Sequence, residues 1–299
     1  MKKKQNVTVD WHTLTGKLWF RCTNDYLFRA LMQKYDDIRT AFIATLIGCE
    51  VEDIDSCVVE NPIVLGETIE DKDFILDIRV SVNDALTMNV EMQVINRYNW
   101  PERSVSYLCR TFDDLKTGQD YIEVRPVWQV GITDFQVFKD RNDFYGTYML
   151  LNLKSYKLYT DKFKISVIDL TNIDNATEAD KRAGLDRWAM MFKATTWEDL
   201  KGLAEEDPVI EKAVGYMHVL SEEEMIKERM WAREEFYRNE RTNQKLMEMY
   251  KGDAEKYKGD AEKYKQMYVD QEAKLADKDA KLADQEAKLA EYERKYGKL

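Results

Sequence analysis

Hydrophobic and polar positions change their period several times along this chain. Residues 1–20 read as an irregular lead-in. Thr23-Asn24-Asp25 then precedes the apolar run Tyr26-Leu27-Phe28-Arg29-Ala30-Leu31-Met32, which predicts a helix capped by a threonine or Asx side chain. A second helix is predicted from Ile38 to Ile47, with Gly48 as its stop. Period two then takes over. Ser56 to Glu60 is short and β-branched, and Phe74 to Val82 and Leu86 to Ile95 alternate. Pro101 to Lys116 reads as a helix with proline in its first turn. Val127 to Phe135 and Lys164 to Leu170 read as strands. Helices follow at about 177–193, 196–205 and 208–219. Helix, strands, helix, strands and helices in that order predict an α/β domain with a mixed sheet flanked by helices, over residues 21–220.

The alternating pair carries the most information. Phe74, Leu76, Ile78, Val80 and Val82 share one face of the first strand, and Asp73, Ile75, Asp77, Arg79 and Ser81 the other. In the second, Met88, Val90, Met92 and Val94 oppose Thr87, Asn89, Glu91 and Gln93. A three-residue loop, Asn83-Asp84-Ala85, pairs Val82 with Leu86 and gathers every even-numbered apolar residue on one side. A two-residue loop would mix the faces. In this register Asp77 falls opposite Glu91, with Cβ atoms roughly 5 Å apart. Two carboxylates so close repel. A divalent cation such as Mg²⁺ or Mn²⁺ removes the conflict, because carboxylates, a backbone carbonyl and waters are the ligands it takes. The pattern also admits a simpler arrangement, with both acids on a solvent-facing sheet surface and Arg79 as their partner.

From Ser221 the pattern changes again. Ser221 and Glu224 have capping-box spacing, and a long charged helix without proline is predicted over 221–299. Lys251-Gly-Asp-Ala-Glu-Lys-Tyr257 repeats at Lys258–Tyr264, and Ala-Lys-Leu recurs at 273–275, 280–282 and 287–289. One heptad register runs through from about 247. Position a holds Met247, Ala254, Ala261, Tyr268, Leu275, Leu282, Leu289 and Tyr296. Position d holds Tyr250, Tyr257, Tyr264, Gln271, Lys278, Gln285, Tyr292 and Leu299. The register predicts a coiled coil and a homo-oligomer held by it. Three successive polar d positions weaken that prediction, and a solvated single helix is the alternative.

Composition narrows the chemistry. Net charge is −11, which speaks against strong nonspecific DNA affinity but says little about a local cleft. Cys22, Cys49, Cys57 and Cys109 form no C-x-x-C pair, and His12 and His218 are the two histidines. A zinc site is therefore not expected, and reduced thiols in a cytoplasm are. No apolar run approaches a membrane span. The basic Met1-Lys2-Lys3-Lys4 has no apolar stretch after it, so no secretory leader is expected. Phosphate-binding and dinucleotide-binding glycine loops are absent, as is any convincing serine or cysteine nucleophile.

Asp77 followed by Glu91-Met92-Gln93 resembles the D…E-x-(K/Q) core of the PD-(D/E)XK nuclease superfamily. Thr23–Phe28, Lys72–Asp77, Asn89–Gln93, Trp100–Ser104 with Tyr107, and Gly118–Tyr121 follow in order. With Trp188-Ala189 and Ala232-Arg233-Glu234, they resemble the Rpn family of recombination-promoting nucleases, also described as PD-(D/E)XK-family transposases. The likeness runs from about residue 20 to about 235. It implies a restriction-endonuclease-like fold and a metal-dependent DNA endonuclease, with DNA as partner and a context of recombination or transposition. It also implies Asp77, Glu91 and the carbonyl of Met92 as metal ligands. Gln93 stands where most of the superfamily has lysine, so it can donate a hydrogen bond but no charge. A catalytically weak nuclease fold used for DNA binding or assembly is the alternative. Asp25 matches a family acid on the first helix and reads either as a third site carboxylate or as a helix cap. Lys72 reads as a phosphate contact or a solvated strand end. Arg103 and Tyr107, at i and i+4, read as orienting groups or as packing.

Overall fold

The structure, a computed structural model, describes residues 10–63, 77–113 and 120–297. Lys72, the start of the Phe74–Val82 run, Lys116, Gly118 and Gln119 lie outside these residues. Among the described residues six strands form one sheet: β1 (Cys57–Val59), β2 (Ile78–Val82), β3 (Leu86–Gln93), β4 (Val127–Thr133), β5 (Tyr145–Met149) and β6 (Phe163–Asp169). Their order across the sheet is β1-β2-β3-β4-β6-β5. The central pairs β3–β4 and β4–β6 are parallel, whereas β1–β2, β2–β3 and β5–β6 are antiparallel.

The β2–β3 hairpin has the register that the hydrophobic pattern selects: Val82 pairs with Leu86, Val80 with Met88 and Ile78 with Val90. Asn83 and Asp84 turn the chain in the left-handed region, at φ 50° and 53°, where short polar side chains are best tolerated. Asn83 Oδ1 also accepts from the Ser56 amide at 3.0 Å, tying the turn to the start of β1.

α1 (Asp25–Lys34) begins where Asn24 Oδ1 accepts from the amides of Tyr26 and Leu27, so Asn24 is the cap. α2 (Asp36–Ile47) ends at Gly48 in the left-handed region, at φ 80°. α3 (Trp100–Phe112) connects β3 to the parallel β4. The helix predicted over 177–193 is two helices, α4 (Glu178–Ala183) and α5 (Leu185–Lys193), split at Gly184 with φ 79°. α6 (Trp197–Glu206) and α7 (Pro208–Glu222) follow. The even-numbered side chains Ile78, Val80, Val82, Met88, Val90 and Met92 are buried in one core with Phe28, Leu31, Phe42 and Phe192. Phe42 meets Phe28 and Phe192 edge to face, with ring centroids 6.2 and 5.7 Å away, a favoured aromatic geometry.

The capping box expected at Ser221 does not form. Ser221 lies inside α7, and its hydroxyl donates to the His218 carbonyl at 2.7 Å. The break falls instead at extended Glu223, and α8 (Glu224–Tyr296) starts immediately after it. One compact unit runs to Arg238 and a second begins at Asn239. The first turns of α8 belong to the first unit, where Ile226, Met230 and Tyr237 are buried. In the second unit, the heptad residues Tyr257, Tyr264, Leu275, Leu282 and Leu289 are exposed. Among the described residues no helix is long and apolar enough to cross a membrane, and all four cysteines are free thiols.

Candidate active site

On the odd-numbered face of the hairpin, Asp77, Ser81, Thr87, Asn89 and Glu91 are buried. Asp77 is 9% exposed and Glu91 5%, so the solvent-facing arrangement of these acids is not what the chain adopts. Arg79 does not join them. It reaches Glu60 instead, at 3.2 Å. Asp77 immediately precedes Ile78 and Glu91 immediately follows Val90, the last pair of the ladder at this end, so the two acids flank its end. Asn89, on the same face, donates from Nδ2 to Gln129 Oε1 of β4 at 2.7 Å. Gly131 pairs with Glu91 across the β3–β4 ladder. A Cβ at Gly131 would come within 2.0 Å of the Trp100 ring, so glycine there is what lets the first turn of α3 close over this face.

Each carboxylate has an arginine at hand. Arg103, on α3, donates from a terminal nitrogen to Glu91 Oε1 at 2.6 Å, and its guanidinium lies 5.2 Å from the Tyr107 ring centroid. The i, i+4 pair seen in the sequence is thus an arginine braced by an aromatic ring and aimed at Glu91. Arg29, fully buried on α1, donates to the backbone carbonyls of Asp77 and Asn61. Burial lowers the Arg29 pKa to about 10, opposed by the Asp77 charge. Asp25 forms a two-point ion pair with Arg233 of α8, with Nε to Oδ1 at 2.8 Å and the second nitrogen on Oδ2. Burial opposes the Arg233 charge, but the hydrogen bonds and charge of Asp25 hold its pKa above the usual value. Asn24 Nδ2 donates to the Met230 carbonyl at 3.2 Å, so neighbouring residues join the same two helices. Asn24 rather than Asp25 is thus the cap, and the Asp25 carboxylate is engaged by Arg233.

Burial pushes the Glu91 carboxyl up to about 7. The Arg103 charge opposes this, and the charges of Asp77 and Asp25 add to it. The close Arg103 contact and the raised value pull in opposite directions. Burial prevails because the pair satisfies only one carboxylate oxygen: Glu91 Oε2 is buried with no hydrogen-bond partner. Burial also raises Asp77, against the charge of Arg29 and a hydrogen bond from the Asn89 side chain, and the Asp77 Oδ1 atom is buried without a partner. Two orphaned carboxylate oxygens, one just before β2 and one on β3, are hard donors of the kind a divalent cation takes. Met92 turns its side chain into the core at 3% exposure, leaving only its carbonyl for the site. Among the described residues no three His, Cys, Asp or Glu side chains are grouped to hold a metal. Any ion here would rest on two carboxylates, a carbonyl and water. Half-buried Gln93 donates from Nε2 to the Ile95 carbonyl at 2.9 Å.

Sequence reasoning gave no role to Arg29 or Arg233. Arg29 does carry a signal, since it is a cation in the midst of the apolar run of α1. Arg233 stands in the Ala232-Arg233-Glu234 stretch, but its partner lies 208 residues away.

Neither curated proteins nor solved structures gave a match. A family model described as PD-(D/E)XK nuclease family transposase matches residues 22–247. Its span takes in the hairpin, α3, the sheet and the start of α8, and the six-stranded mixed sheet with flanking helices agrees with the PD-(D/E)XK nuclease fold. The chain belongs to the PD-(D/E)XK nuclease family transposases.

Proposed function

We propose that this protein is a metal-dependent DNA endonuclease that hydrolyses phosphodiester bonds, in a context of recombination or transposition. The observation that carries the reading is the pair of buried, unpartnered oxygens, Asp77 Oδ1 and Glu91 Oε2. Proteins rarely leave such atoms without a partner unless a ligand or water completes them. Asp77, Glu91 and the Met92 carbonyl are the groups that would hold Mg²⁺ or Mn²⁺. When bound, such an ion polarises a phosphate and lowers the pKa of a water.

The remaining work falls to side chains of this chain. Arg103, partly exposed and held by Glu91, is a cation that would meet a phosphate oxygen. Gln93 supplies a neutral donor where a lysine would supply charge, and it must leave the Ile95 carbonyl to do so. The site therefore leans on Arg103 for positive charge. The free thiols suit a reducing cytoplasm.

A second reading, a nuclease fold used for DNA binding or assembly, draws on the arginines engaging Asp25 and Glu91 and on the uncharged Gln93. Nicking of supercoiled plasmid by purified protein with Mg²⁺, Mn²⁺ or EDTA, beside Asp77→Ala, separates the two. Metal-dependent nicking lost in the variant supports the nuclease. Folded protein that cuts under no condition supports the binding role. Cutting that survives Asp77→Ala would place the active site elsewhere.

A further inference from the structure

The second compact unit, from Asn239 onward, is a helix with an unused apolar seam. Tyr257, Tyr264, Tyr268, Leu275, Leu282 and Leu289 are 56–74% exposed along it. Its own side-chain support includes Lys281–Asp277 and Lys288–Asp284 at 2.6 and 2.7 Å, both i, i+4 surface pairs. Such exposed pairs add little to a helix on their own. Gly252 and Gly259, which weaken a helix, fall at position f, behind the seam, with nothing near them.

The charges flanking the seam reverse sign halfway along. Position g is acidic at Asp253 and Asp260, then basic at Lys274, Lys281 and Lys288. Position e is basic at Lys258 and Lys265, then acidic at Asp279 and Glu286. A parallel pair has no need of this reversal, because constant opposite signs at g and e would serve it throughout. A helix that pairs with an inverted copy of itself does need it, since g then faces g and e faces e. We propose that the tail forms an antiparallel coiled coil with the tail of a second copy of this chain.

The seam fixes the register. Setting Tyr257 against the second copy's Leu289 places Tyr264 on Leu282, Gln271 on Leu275, Lys278 on Tyr268 and Gln285 on Ala261. Every d position meets an a position, with Tyr257, Tyr264 and Gln271 against leucines and Gln285 against an alanine. Asp260 then flanks Lys288, Lys258 flanks Glu286 and Lys265 flanks Asp279, while at the centre Glu272 meets Glu272 and Lys274 meets Lys274 on the outer flanks, where solvent screens them. A parallel in-register pair also satisfies its flanks, for example Asp253 with Lys258 and Lys274 with Asp279. However, it sets Lys278 against Lys278 and Ala261 against Ala261 within the seam, a like-charge clash and an underfilled layer. In the antiparallel pair the two Met247 positions lie at opposite ends of the shared rod, about 75 Å apart at 1.5 Å per residue. This proposal does not depend on nuclease chemistry.

The test uses the full chain. Light scattering across a concentration series should give twice the monomer mass, and Leu282→Asp should return it to the monomer value with the sheet domain's near-ultraviolet spectrum unchanged. Orientation is read in a Cys109→Ser background. Ala261→Cys and Gln285→Cys chains, mixed and oxidised, should cross-link to each other and not to themselves. A monomer at every concentration overturns the proposal, as does a dimer that survives Leu282→Asp. Self-cross-linking of Ala261→Cys alone would show a parallel pair and overturn the antiparallel one.

Discussion

Glu91 should make the metal-free protein less stable as pH rises, and replacing it should reverse that loss. Its carboxyl titrates at about 7 in the folded chain against an ordinary 4.5. The folded state therefore holds this proton more tightly than the unfolded state does. The sign follows: stability is intact below 4.5, declines as pH rises from 4.5 through 7, and stays lowered above. At about 1.4 kcal/mol per pH unit the gap is on the order of 3 kcal/mol. Glu91→Gln keeps the shape and removes the charge. In EDTA at pH 8 it should stabilise the fold by about 1–3 kcal/mol, the lower figure applying if Arg103 is left poorly paired. For a unit of this size that is a rise in Tm of roughly 2–10 °C. At pH 5, where Glu91 is mostly neutral, the two proteins should melt nearly together. Scanning calorimetry of both at the two pH values decides. A variant no more stable at pH 8 than the parent would refute the claim that burial outweighs the Arg103 contact. Adding Mg²⁺ or Mn²⁺ at pH 8 should raise Tm in the parent only. An equal rise in the variant would remove Glu91 from the ligand set.

Other expectations follow from the same contacts. Arg233→Ala leaves buried Asp25 without its cation and should cost about 3–5 kcal/mol in urea unfolding; Asp25→Asn combined with Arg233→Met should cost clearly less. Gly131→Ala forces a Cβ into the Trp100 ring. It should cost about 1–3 kcal/mol, with a changed near-ultraviolet tryptophan signal and weaker cleavage. Arg103→Ala removes the charge that holds the Glu91 pKa down, so the rising limb of the pH–cleavage profile should move to higher pH. An unmoved limb would mean that Glu91 does not set it.

The hairpin was legible in the sequence because its two faces differ so sharply that only one register keeps the apolar residues together. That register alone set Asp77 against Glu91. Edge strand β5 was missed because Tyr145-Gly-Thr-Tyr-Met149 is half-exposed at most positions and shows little alternation. Ser221 misled because capping-box spacing also occurs inside a helix, where the hydroxyl turns back to a carbonyl one turn earlier. Gly184 was hidden because a single glycine can sit within a helix, and only its left-handed φ ends α4. The arginine partners were not legible, because a local pattern cannot show which distant cation arrives at a carboxylate. Of the three, only Arg103 was singled out, through its spacing from Tyr107.

The contact between Asp25 and Arg233 also orders events during synthesis. The two residues are separated by 208 positions. At about 5–20 residues per second, roughly 10–40 s pass between them on the ribosome. Throughout that interval the first turn of α1 holds an acid whose counter-charge has not been made. Asn24 likewise waits for the Met230 carbonyl. Hydrophobic contacts between α1 and the sheet can form early, but the end of α1 beside the candidate site is locked only when the opening turns of α8 emerge. A nascent chain is thus left with a loose α1 end until its compact unit is nearly complete.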